Sequence, residues 1–238
     1  MILTDRAEFT TAITNIVNAG ITLIPMILLL KKASERTELK SKCLIWFTSF
    51  GFFFAVSLLG FIVHGFVWTD KEADILWRIL NILISFMLGS YVVAILFETH
   101  GPLYLKRYLM INSILAVAFS ALRIFLDEKF SMGFMVFIIY CLLNIIFVSA
   151  QLYRSRKENP HFIWLAAGIV FLVTGSVLQT IKSIHFTIIW EFNYNCVYHI
   201  FTLIFVILQF IGVMRSIRAK EALLNGGNVR TYLFLIIF

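Results

Sequence analysis

Two histidines and a few acidic and amide side chains are the residues of this sequence best equipped for chemistry. His64, His199 and either Asp70 or Asp74 are the candidate metal ligands, with Ser57 the group that would assist on a substrate. Zinc takes His nitrogen and Asp or Glu oxygen, and its catalytic sites combine three protein ligands with a water. Bound water whose pKa falls to about 7 becomes a nucleophile for amide or ester hydrolysis. Ser57, seven residues before His64, is spaced to bind an oxyanion or to position that water. A neutral histidine hydrogen-bonded inside a helical bundle is the competing reading for either ring. There is no HExxH, and the spacings of Cys43, Cys141 and Cys196 match neither a disulfide framework nor a zinc knuckle.

Long apolar stretches must position these residues. The chain of 238 residues is 61% hydrophobic and 14% charged, with a mean hydropathy of +0.92. A soluble domain averages about 25% charged residues, so this composition excludes a sizeable soluble domain. Seven stretches of about 20 residues each suit the thickness of a hydrocarbon core: 9–30, 43–66, 75–97, 108–126, 130–153, 162–184 and 195–214. The expected fold is all-α: a seven-transmembrane-helix bundle over 1–220 as one domain, followed by a tail over 221–238. Basic residues cluster on alternate connections: Lys31, Lys32, Arg36, Lys40 and Lys42 on the first, Lys106 and Arg107 on the third, Arg154, Arg156 and Lys157 on the fifth. Short loops rich in Lys and Arg stay cytoplasmic. That places the N-terminus outside and the C-terminus in the cytosol, in the inner membrane if the cell is bacterial. The net charge of +7 orients the chain and does not imply a nucleic-acid partner.

Within the spans, polar residues recur at helical spacing. Glu8, Thr11, Asn15, Asn18 and Thr22 share one face of the first span, and Asn195, His199, Thr202 and Gln209 share a face of the seventh. Such stripes commonly serve helix–helix adhesion. Ionisable groups inside a bilayer are costlier and point to function or to a compensated pair. Glu8, His64, Asp70, Asp74, Asn195 and His199 all fall at the outer end, with the two histidines about one turn inside their helix ends. His100 and His161 fall in cytoplasmic loops, where solvated side chains are expected, and Arg123–Asp127 reads as an intrahelical ion pair.

These positions resemble the CREST group of seven-helix membrane hydrolases, which includes alkaline ceramidases and the progestin and adiponectin receptors. AEFTTAITN, from Ala7 to Asn15, resembles that group's first-helix start; His64 and Asp74 resemble its second-helix His and third-helix Asp; NCVYH, from Asn195 to His199, resembles its seventh-helix motif. The resemblance implies a zinc-dependent lipid amidase, with His64, Asp74, His199 and the Asn195 amide as ligands, Ser57 and Asp74 as catalytic groups, and Glu8, Asn15 and Asp70 supporting them. Two positions depart from the pattern: Asn195 stands where the group has a first His, and Gly60 where it has a Ser four residues before His64.

The expected function is therefore a metal-dependent intramembrane hydrolase of a lipid amide or ester, with zinc as cofactor and membrane lipid as partner. The alternative is a non-catalytic seven-helix protein that binds or senses a lipid or ligand, and Asn195 favours it. A transporter needs a polar path through both halves of the bundle, and the cytoplasmic halves read as apolar. A retinal-type pump is disfavoured because the seventh span has no lysine.

Overall fold

In a computed structural model of the chain, residues 4–125, 132–157, 159–188 and 190–225 are described. Among them the chain forms α1 (Arg6–Glu35), α2 (Lys40–Gly65), α3 (Asp70–His100), α4 (Leu105–Phe125), α5 (Met132–Ser155), α6 (Phe162–Thr180) and α7 (Tyr194–Leu224). An antiparallel hairpin, β1 (His185–Thr187) and β2 (Glu191–Asn193), joins α6 to α7. The Asp127 partner expected for Arg123, and the tail beyond Asn225, lie outside the described residues.

Local chemistry sets the helix ends. Asp5 Oδ1 accepts the Glu8 backbone N–H at 2.9 Å and caps α1. Thr69 and Glu72 form a capping box at the start of α3. That helix stops at Gly101, whose φ of +70° is the left-handed conformation that favours glycine, and Pro102 follows it. Asn193 Oδ1 caps α7 through the Cys196 N–H at 3.0 Å.

Several helix ends differ from the sequence expectation, among them α1, which runs past 30 to Glu35, and α3, which begins before 75 at Asp70. The sixth helix ends at Thr180, short of residue 184, because the β-branched and aromatic run HFTIIWEFN pairs as a hairpin. The seventh runs ten residues past 214 to Leu224, where the Lys32 ammonium meets Glu221 at 2.9 Å and ties the extension to α1.

Helix α1 packs on α2 and α7, α7 on α6, and α3 on α2, α4 and α5. The core between them is built from Leu29, Trp46, Ile95, Leu165, Val206 and Ile217, among others. Among the described residues, five helical stretches are long and apolar enough to cross a membrane: Arg6–Glu35, Thr37–Gly65, Asp70–Leu122, Phe162–Thr180 and Tyr194–Leu224. The third runs through both α3 and α4, and the described apolar part of α5, Ile139–Ser155, is shorter. Large apolar side chains such as Ile27, Ile114, Ile146 and Val170 lie on the outside, as suits helices surrounded by lipid.

Candidate functional site

The first turns of α1, the last turn of α2 and the first turns of α7 meet at one end of the bundle. Capping by Asp5 starts α1 so that Glu8 falls in its first turn. There His64 Nδ1 lies 2.6 Å from Glu8 Oε2. The Glu8 carboxylate accepts, so Nδ1 carries a hydrogen and donates it. Asn193 holds the other carboxylate oxygen, donating from Nδ2 to Glu8 Oε1 at 3.0 Å. The His64 side chain is 10% exposed and that of Glu8 29%.

His199 completes the cluster from α7. Its ring centroid is 6.1 Å from that of His64, with the planes at 73°, while Trp77 stands edge-on to His64 at 5.4 Å. Asn15 Nδ2 donates to the Thr11 carbonyl at 3.1 Å and lies 3.0 Å from His199 Nε2. Because the first contact fixes that atom as the amide nitrogen, His199 Nε2 is the acceptor and Nδ1 carries the hydrogen. One turn further in, Asn18 Nδ2 donates to the His199 carbonyl and to Thr202 Oγ1, both at 3.0 Å. Asn18 Oδ1 is buried with no hydrogen-bond partner.

Gly60 explains how Asn15 reaches this position. A Cβ there would stand 2.7 Å from Asn15 Oδ1. The residue that departs from the CREST pattern is thus the one that gives Asn15 room beside α2.

Of the residues expected at a metal centre, only part assembles. Glu8, Asn15, His64 and His199 come together. Asp74 does not join them: its carboxylate accepts from Arg78 Nε at 2.9 Å, four residues on, and its side chain is 40% exposed. Asn195 Oδ1 accepts from Gln179 Nε2 at 3.0 Å on α6, and its side chain also reaches the Glu8 carboxylate. Asp70 is exposed in the first turn of α3. Ser57 is buried but lies two turns, about 10 Å, below His64 along α2. Among the described residues no group of three or more His, Cys, Asp or Glu is arranged to hold an ion. Two imidazoles and a carboxylate are suitable donors for zinc, but hydrogen bonds engage His64 Nδ1 and His199 Nε2. As it stands the ligand set is incomplete, since His199 Nε2 faces Asn15, and the chemistry below rests on the side chains themselves.

Sequence reasoning missed Asn193. Its signal was available, since an Asn three residues before the first buried position of a helix is an N-cap signature. It also missed a second buried polar cluster at the opposite end. Glu98 Oε2 lies 2.9 Å from Lys42 Nζ and accepts from Ser216 Oγ at 2.7 Å, Glu98 Oε1 accepts from Trp46 Nε1 at 2.9 Å, and Lys42 Nζ donates to Ser216 Oγ. His161, expected to be solvated, is 3% exposed, with Nε2 3.9 Å from Glu98 Oε2 and neither ring nitrogen hydrogen-bonded. Burial pushes His161, just outside α6, down to about 4, so its ring is neutral near pH 7.

No curated protein and no solved structure matches the chain. A family model matches residues 10–218, which hold every helix from α2 to α6 and most of α1 and α7. The chain therefore belongs to DUF6962, a family described as one of unknown function.

Proposed function

We propose that the chain is a seven-helix integral membrane protein, N-terminus outward and C-terminus cytosolic, whose Glu8–His64–His199 cluster hydrolyses an amide or ester bond of a membrane lipid. The observation that carries this reading is the 2.6 Å bond from His64 Nδ1 to Glu8, with a second imidazole 6.1 Å away. A carboxylate that fixes one imidazole nitrogen leaves the other as an oriented general base.

In this mechanism His64 Nε2 takes a proton from water as the water oxygen attacks the carbonyl carbon. The resulting oxyanion accepts a hydrogen bond from His199 Nδ1–H, whose donor character follows from the Asn15 contact at Nε2. Collapse breaks the carbon–nitrogen or carbon–oxygen bond, and the His64 imidazolium returns its proton to the leaving amine or alcohol. Glu8 stabilises the imidazolium meanwhile. The outline shared with the CREST group also points to hydrolysis.

The test is incubation of the purified protein in lipid nanodiscs with long-chain fatty amides and esters, reading released fatty acid by mass spectrometry. Fatty acid release should fall about 10²–10⁴-fold in Glu8→Gln and in His64→Ala, the usual worth of a general base. Zinc hydrolysis is a second reading, favoured by the convergence of two imidazoles and a carboxylate from three helices. Elemental analysis of the same samples separates it: stoichiometric zinc that is lost in His199→Ala moves the chemistry to the metal. Lipid retained through purification with no product released identifies a binding protein and overturns the hydrolytic reading.

A further inference from the structure

The hairpin between α6 and α7 exposes large apolar side chains. Its register pairs Phe186 with Phe192, His185 with Asn193, and Thr187 with Glu191. Side chains alternate across a strand, so the two Phe rings share one face, stacked at 5.3 Å and nearly parallel, while the polar pairs share the other. On the polar face Asn193 is buried and reaches Glu8 and Thr11 on α1, while His185 and Thr187 are exposed. On the apolar face Phe186 is 40% exposed and Phe192 half-buried. The turn adds Ile188 at 74% and Trp190 at 66%.

The apolar face also continues a surface already turned outward. Exposed Ile163, Val170, Val177 and Ile181 form one stripe along α6 and lead to the hairpin. Tryptophan is favoured at the junction of headgroups and acyl chains. Helix α6 is one of the stretches long and apolar enough to cross the membrane.

We infer that the β1–β2 hairpin is a membrane-inserted element: Phe186, Ile188 and Trp190 sit in the headgroup–acyl boundary of the leaflet beside α6, and the bilayer, not a protein partner, covers them. The inference rests on the membrane reading above and not on the hydrolytic one. Its consequence for the site is direct, because β2 delivers Asn193 to the Glu8 carboxylate. The hairpin holds the cluster at the level where a lipid's headgroup linkage lies, so a lipid reaches it sideways from the leaflet.

Spin labels test this in the full chain reconstituted in phosphatidylcholine–phosphatidylglycerol vesicles, with the unsubstituted protein as the blank for its native cysteines. Label is placed at Ile188→Cys, at Trp190→Cys and, on the α6 stripe, at Val177→Cys. Collisions with oxygen, which partitions into lipid, and with a water-soluble nickel chelate are compared. The expected result is loss of nickel broadening with retained oxygen broadening at 188 and 190, as at 177. Nickel broadening at 188 and 190 with none at 177 overturns the insertion and leaves the membrane reading intact. Protection from both reagents at 188 and 190 means a protein surface covers the hairpin and overturns it as well. Nickel broadening at all three positions overturns both the insertion and the membrane reading.

Discussion

Glu8 and His64 lie 56 residues apart in the chain and 2.6 Å apart in the fold, and the reason was partly legible. The spacing of Glu8, Thr11, Asn15 and Asn18 put them on one helix face, and a face with a carboxylate inside a bilayer needs a partner. What the spacing could not settle was which acidic group the histidines would meet. Asp74 has Arg78 one turn away on its own helix, and that local pair takes its carboxylate out of the site. Glu8 has no such neighbour and turns to His64. Gly60 carries a prediction at this scale. Gly60→Ser introduces a Cβ 2.7 Å from Asn15 Oδ1, in a contact with little slack. Overpacking of this kind costs about 1–3 kcal/mol. The variant should unfold at lower temperature in detergent than the parent, and Gly60→Ser with Asn15→Ala should recover most of the loss. An unchanged midpoint in the single variant would show that Asn15 does not pack against α2 there.

Among the elements, the long helices were readable because length and hydropathy alone define them. The hairpin was not. Its strands are three residues each, too short for a period-2 pattern to stand out. The Lys42–Glu98 cluster was misread for a different reason. Lys42 lies near the start of α2 and His161 just before α6, so both look like loop residues, yet α2, α3, α6 and α7 close around them. Lys42 carries part of the positive charge counted on the first connection, but it is buried. Removing one partner of a buried ion pair costs about 3–5 kcal/mol, because the other charge is left uncompensated. Glu98→Gln should therefore lower the unfolding midpoint strongly. Adding Lys42→Met to it should restore stability in part, as the orphaned ammonium is then gone. If Glu98→Gln and Lys42→Met lowered stability additively, the two side chains would not be coupled and the cluster would not be an ion-pair lock.

For the whole molecule, the two polar clusters sit at opposite ends of one apolar bundle, and α7 contributes to both through His199 and Ser216. Between them the inward side of α7 carries Gln209, which accepts from the Tyr91 hydroxyl at 2.9 Å and donates to the Leu165 carbonyl. The composition made the bundle legible from the start, because so apolar a chain has few other ways to bury its surface. The convergence of separate helices on one carboxylate was not legible, since it depends on which faces pack together. The central claim is that convergence, and histidine nitrogen NMR tests it most directly. With ¹⁵N-labelled histidine in bilayers, His64 and His199 should both carry a hydrogen on Nδ1. Glu8→Gln should shift the His64 signals, and Asn15→Ala those of His199. If both rings carried their hydrogen on Nε2, and neither substitution moved them, the two imidazoles would not be held by Glu8 and Asn15, and the proposed site would not exist.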